Sequence, residues 1–236
     1  MSGRDERQGQ SLLRDLLDWI GIRGLIYGPL DRRLSLRQTI EKALGRPIPY
    51  IPWWGCFGGL AFALFIVQVL SGLLLMFFYV PADPDAHRSI LYLSGPAPYG
   101  WLFRTVHYWA GTLMLAAIIV HSLRVFVTGA YQKPRDLNWV IGSALLLFTA
   151  GFFLTGSILP WTRSAYWSAV YWTDLVGTLP LAGNQIKLFL RGGEQVNGAS
   201  LTRFYVFHVF ILPAVTTVFM TAHFAIVRKL GISEPL

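Results

Sequence analysis

The sequence is 236 residues long, 54% hydrophobic and only 14% charged, too apolar for an ordinary domain surrounded by water. Its formal charge of +8 would suit nucleic acid, but the basic residues sort by the loops between apolar stretches. That pattern belongs to a membrane protein and excludes nucleic-acid binding from the expectations.

Residues 1–50 carry nine of the twenty Lys and Arg and read as an N-terminal extension. Within it, Leu12, Leu13, Leu16, Leu17 and Ile20 recur at helical spacing with Arg14, Asp15 and Asp18 between them. This pattern predicts an amphipathic helix that either lies on the inner membrane surface or docks a partner subunit. No short apolar core ends at a small-residue cleavage site, so no signal peptide is expected. Pro47, Pro49 and Pro52 then break the chain.

Residues 51–236 read as a four-helix transmembrane domain, because four stretches hold the roughly 20 apolar residues that a spanning helix needs. They are 53–80, 103–127, 139–159 and 204–227. The expected fold class is therefore all-α. The first connection, 81–100, is rich in Pro and Gly, and its His87 reads as a solvated loop histidine. The second, 128–138, is short and basic and makes its two spans antiparallel neighbours. The third, about 157–203, contains Trp161, Tyr166, Trp167, Tyr171 and Trp172. It is predicted to form short surface helices that roof a pocket for a lipid-soluble molecule. With both termini inside, the connections outside hold Arg88, Arg104, Arg163, Lys187, Arg191 and Arg203, which leaves fourteen of the twenty basic residues inside. The positive-inside rule thus places both termini in the cytoplasm, for a bacterial cytoplasmic membrane.

Five histidines are present, and four of them fall inside spans, where each is costly and a functional candidate. His107 and His121 stand fourteen residues apart on the second span, about 40° from the same direction and about 21 Å apart in depth. His208 and His223 stand fifteen apart on the fourth, which gives about 60° and about 22 Å. These spans run parallel, so His107 pairs with His208 near the outer face and His121 with His223 near the inner. Two imidazoles facing each other across a bundle are the axial ligands of a low-spin b haem. The other reading is four histidines bonded to neighbouring helices or lining a proton path.

Gly58 and Gly72 on the first span, and Gly142 and Gly156 on the third, repeat the fourteen-residue spacing on the helices that lack histidine. They suit walls against which two haem rings lie, or close helix packing. Arg104, Arg124, Arg203 and Arg228 each lie on the aqueous side of a histidine. They read as propionate partners or as snorkelling side chains. Cys56, the only cysteine, rules out an intramolecular disulfide and a Cys-x-x-Cys-His attachment motif.

These residues resemble the cytochrome b family of quinol-oxidising bc-type complexes, in its short form, cytochrome b6, over about 48–236. The carriers are Cys56-Phe57-Gly58-Gly59, Val67-Gln68-Val69, the run WLFRTVH at 101–107, and Arg124 with Thr128-Gly129. Lys133-Pro134-Arg135, Leu159-Pro160-Trp161, Leu201-Thr202-Arg203-Phe204-Tyr205, His208 and Arg228-Lys229-x-Gly231-Ile232-Ser233 complete them. The fifteen-residue step and the end of the chain after four spans match the short form. The resemblance implies that Gln68 is among the haem-binding residues, that Leu159, Pro160 and Trp161 belong to the quinol-site loop, and that Cys56 attaches a third haem, of c type, by one thioether bond.

It further implies electron transfer in a quinol:cytochrome c or plastocyanin reductase running a Q cycle, with menaquinone or plastoquinone. The implied partners are a separate three-helix subunit, a Rieske iron–sulfur protein and a c-type cytochrome, in a homodimeric complex. Tyr108, Ser157, Thr162 and Arg163 depart from the chloroplast pattern near the outer quinol pocket. The alternatives are a dihaem membrane anchor of a quinone-linked dehydrogenase or hydrogenase, and a haem-free transport or assembly subunit.

Overall fold

The computed structural model describes Gln38 and residues 55–231, so the amphipathic segment expected within 1–50 lies outside the described residues. In chain order the elements are α1 (Phe57–Met76), α2 (Asp85–Ser94), α3 (Gly100–Val127), α4 (Asp136–Ile158), α5 (Arg163–Gly177), α6 (Gly183–Arg191) and α7 (Gly198–Val206). A π-helical turn (Phe207–Ile211) then joins α7 to α8 (Leu212–Leu230). No strand occurs among the described residues.

Among the described residues, four helical stretches are long and apolar enough to cross a membrane: α1, α3, α4 and the continuous run Gly198–Leu230. Leu60, Ile66, Val69, Leu70, Leu73 and Met76 of α1 are all exposed, an apolar surface that lipid tolerates and water does not. The protein is an integral membrane protein. The fourth span starts at Gly198 and not at 204, because Asn197 caps it: its side chain accepts from the amides of Ala199 and Ser200, and its own amide donates to Ser200 Oγ.

The π turn has a cause in the sequence. Pro213 has no amide hydrogen to give to the carbonyl four residues back and crowds that carbonyl. The ladder answers with a bond one residue longer, from the Leu212 amide to the Phe207 carbonyl.

The spans pack in two pairs, α1 on α3 and α4 on α8, while α3 and α8, the histidine-bearing helices, do not pack closely on each other. The connections carrying α2, α5 and α6 gather at one end, called here the upper face. They differ from expectation in one respect: 81–100 contains the helix α2. There Tyr79 donates to the Leu159 carbonyl at 2.6 Å and stacks on Tyr205. Burial, with Tyr205 beside it, pushes the Tyr79 hydroxyl above its ordinary range, so it stays a donor. His87 is half-buried and donates to the Pro160 carbonyl at 3.3 Å, so it is not the solvated histidine expected. Thr202 reaches the Pro81 carbonyl.

The best-buried cluster also lies at this end, where Ile158, Ala169, Val196 and Phe204 pack with Leu159, Trp161 and Tyr166. Arg191 is only 6% exposed. It ties α6 to α5 by donating to Thr173 Oγ1 at 2.7 Å and to the Val170 carbonyl at 3.0 Å, with Asp174 as counter-ion. A buried guanidinium needs that full set of acceptors.

Candidate functional site

The four span histidines come from α3 and the fourth span. The fifteen-residue step from His208 to His223 would turn them about 60° apart on an ideal helix. The π turn contains His208 and inserts one residue, which returns the step to the register of fourteen shown by His107 and His121.

At the upper level the ring centroids of His107 and His208 lie 6.2 Å apart. With a metal–imidazole bond of about 2.0 Å and each centroid about 1.1 Å behind its nitrogen, two rings sharing one metal atom have centroids about 6.2 Å apart. His107 Nδ1 lies 2.9 Å from Ser71 Oγ, and His208 Nδ1 lies 2.9 Å from Thr155 Oγ1. With Nδ1 so engaged on the wall helices, Nε2 is the nitrogen left for the space between α3 and the fourth span.

Each glycine at the fourteen-residue spacing faces one histidine. A Cβ on Gly72 would lie 3.2 Å from His107 Cε1, and one on Gly156 2.7 Å from His208 Cε1. At the lower level a Cβ on Gly58 would lie 3.0 Å from His121 Cε1, and one on Gly142 3.4 Å from His223 Cε1. The glycines therefore seat imidazoles, where the sequence suggested walls for the haem ring itself. His223 Nδ1 is buried with no side-chain hydrogen-bond partner and lies near the Asn138 backbone. Gln68 donates to the His107 carbonyl at 2.7 Å, reaching across Gly111, where a Cβ would meet its amide nitrogen at 2.5 Å.

This donor set fits a metal that brings its own equatorial ligands. Among the described residues no three His, Cys, Asp or Glu side chains cluster as a bare ion would require. Two opposed imidazoles would hold a metal carried in a macrocycle, which brings its remaining ligands.

The arginines are dispersed. Arg104 donates to Ser94 Oγ, and Arg203 to the Ala199 carbonyl while its guanidinium lies against Gly192. Arg124 is half-buried in the last turn of α3, and Arg228 is exposed in the last turn of α8. Cys56 is half-buried at the cap of α1, two positions before Gly58.

An apolar cavity of about 190 Å³ lies beneath α5 and α6, lined among others by Gly151, Leu154, Thr155, Trp172, Phe204 and Phe207. Leu159, Pro160 and Trp161, expected in a quinol-site loop, do not line it. The carbonyls of the first two are held by Tyr79 and His87. Trp161 takes a left-handed backbone, φ 51°, where α4 ends. The residues missed by sequence reasoning are Ser71, Thr155 and Gly111. The first two had a signal, a hydroxyl residue directly before a spaced glycine.

Residues 45–231 match the family described as cytochrome b/b6/petB. Cytochrome b6 of Synechococcus sp. (strain JA-3-3Ab) is 38% identical over 212 residues, covering 89% of this chain and 99% of that one. Cytochrome b6 of Gracilaria tenuistipitata var. liui is 38% identical over 214 residues, covering 90% and 100%. A solved chain of a hyperthermophilic respiratory Complex III superposes with a TM-score of 0.76 at 28% identity. The match covers 87% of this chain and 55% of that one, so this chain spans about half of its length.

Proposed function

The chain belongs to the cytochrome b/b6 family, and from that premise we propose that it is the four-span cytochrome b subunit of a quinol:cytochrome c or plastocyanin oxidoreductase. His107 with His208, and His121 with His223, would hold two b haems through their imidazole nitrogens. The observation that carries this reading is the upper pair, two rings 6.2 Å apart with both Nδ1 atoms bonded to the wall helices. When bound, the haems supply reversible one-electron transfer between two depths, the chemistry by which a Q cycle joins quinol oxidation at one face to quinone reduction at the other.

The chain's own residues do the placing. Gly58, Gly72, Gly142 and Gly156 let each imidazole sit against a wall helix, Gln68 holds the backbone of His107, and the apolar spans keep water out. Arg104 and Arg203 above, with Arg124 and Arg228 below, supply cations for propionates, Arg203 by leaving the Ala199 carbonyl. The cavity under α5 and α6 takes the apolar ring of menaquinone or plastoquinone, with the Leu159-Pro160-Trp161 turn at its margin. Cys56 would hold a third haem beside the lower pair through one thioether bond, and its closeness in sequence to the Gly58 seat of His121 supports this.

Residues 1–50 form a cytoplasmic extension to the haem-binding domain of 51–236. Both termini lie on the cytoplasmic side of a bacterial membrane, as the loop charges indicate. The complex contains a three-helix subunit, a Rieske protein and a c-type cytochrome, and is a homodimer.

Purification through a tag on this chain tests the reading. The expected complex contains a Rieske iron–sulfur signal and reduces cytochrome c with quinol. A flavin or metal dehydrogenase in place of the Rieske protein would make the chain a dehydrogenase anchor. Reduced preparations without b-type α-bands would leave a haem-free subunit. A denaturing gel stained for haem should show a band at this chain that Cys56→Ala abolishes, and an unstained wild-type band would refute the third haem.

A further inference from the structure

The two levels of the site share their glycine seats but not the side-chain hydroxyls that bond each histidine of the upper pair. At the upper level each seat is preceded by a hydroxyl residue, Ser71 before Gly72 and Thr155 before Gly156. At the lower level the matching positions are Phe57 and Ile141, which have no hydroxyl.

Each upper hydroxyl also has its single proton committed. Ser71 Oγ, only 5% exposed, donates to the Val67 carbonyl at 2.6 Å. Thr155 Oγ1 donates to the Gly151 carbonyl at 2.8 Å. A hydroxyl has one hydrogen and two lone pairs, so each oxygen can only accept from the histidine beside it. His107 and His208 are thereby both fixed as the Nδ1–H tautomer, with the Nε2 lone pair free.

We infer that Ser71 and Thr155 are positioning residues of the upper pair alone. They set the tautomer and plane of His107 and His208, and they strengthen Nε2 as a donor by drawing on the Nδ1 proton. The difference between the two centres is thus written into the wall helices, in the residue before each glycine, and not in the ligands, which are histidine throughout. A stronger donor favours the oxidised, more positive metal, so these bonds lower the potential of the upper centre. The inference rests on the haem reading above.

The test uses the purified complex with Ser71→Ala and Thr155→Val, each of which removes the hydroxyl at nearly constant shape, and with Ser71→Thr and Thr155→Ser as hydroxyl-retaining partners. The readouts are a potentiometric titration of the b-type α-bands and the low-spin ferric electron paramagnetic resonance signals. Loss of either hydroxyl should raise the midpoint of one haem and shift its signal, leaving the other haem where it was. The hydroxyl-retaining variants should stay at the wild-type values. Two haems with unmoved midpoints, equal movement of both, or failure of the retaining variants to hold the wild-type values would each overturn the inference while leaving the haem reading intact. A wild-type complex without b haem would overturn both.

Discussion

Gly156 gives up a side chain at the place where His208 lies against α4, and the four seats differ in how closely they fit. The approach of a new Cβ to its histidine runs from 2.7 Å at Gly156 through 3.0 Å at Gly58 and 3.2 Å at Gly72 to 3.4 Å at Gly142. Overpacking of this kind costs about 1–3 kcal/mol where the neighbour cannot move away, and an approach of 3.4 Å is ordinary contact. Alanine substitutions should therefore lower b-haem content per chain most at Gly156, then at Gly58 and Gly72, and least at Gly142. The pigment bound by each purified variant checks the order, and a uniform loss, or greatest loss at Gly142, would contradict it. The spacing of these glycines was legible in the sequence, as were the histidines. The partner of each glycine was not, because a fourteen-residue repeat marks a depth and says nothing of which atom arrives there. Ser71 and Thr155 escaped for a similar reason, since hydroxyl residues in apolar helices most often bond their own backbone, and these two do that as well.

At the scale of elements, the fourth span depends on the π turn. Phe210 in the turn and Val218 in α8 are both well exposed, at 71% and 67%, so removing either takes away little packing inside the protein. Deletion of Phe210 together with Pro213→Ala removes both the inserted residue and the cause of the turn, leaving His208 and His223 fourteen apart on a regular helix, so two haems per chain should persist. Deletion of Val218 keeps the turn and rotates one histidine about 100° away from the other, so one haem should be lost. Equal haem content in the two deletions would refute the compensating turn. The angle of about 60° holds for an unbroken α-helix, and Pro213, within the stretch 204–227, is the residue that breaks its regular ladder. Helix α2 was hidden by the Pro and Gly on either side of it.

The junction of α5 and α6 makes a different prediction. Asp174 is held below the ordinary value of 3.8, chiefly by its hydrogen bond from Lys187 and further by Arg191. A depressed carboxyl pKa stabilises the fold in full above its ordinary value and loses that contribution as the pH falls through the depressed one. The protection of α6 amides, measured as exchange relative to the intrinsic rate at each pH, should thus be full at neutral pH and fall below the ordinary aspartate range, and Asp174→Asn should lower it already at neutral pH. Exchange indifferent to both changes would rule the tie unimportant.

Across the whole molecule, the bundle is two antiparallel pairs, α1 with α3 and α4 with α8, each built from one glycine-bearing and one histidine-bearing helix. The number of spans and their approximate limits were legible from apolar length alone, since lipid leaves no other solution for a backbone. The sequence did not disclose that the compact, well-buried packing lies at the upper end, where the connections interlock through Tyr79, His87 and Thr202. Those bonds join segments remote in sequence, which periodicity cannot see.

The most direct test of two histidine pairs at two depths is a redox titration of the b-type α-band in membranes holding the intact complex. Two one-electron components are predicted for the wild type, with His208→Ala removing one of them and His223→Ala the other. A single component in the wild type, or loss of the same component in both variants, would contradict the account.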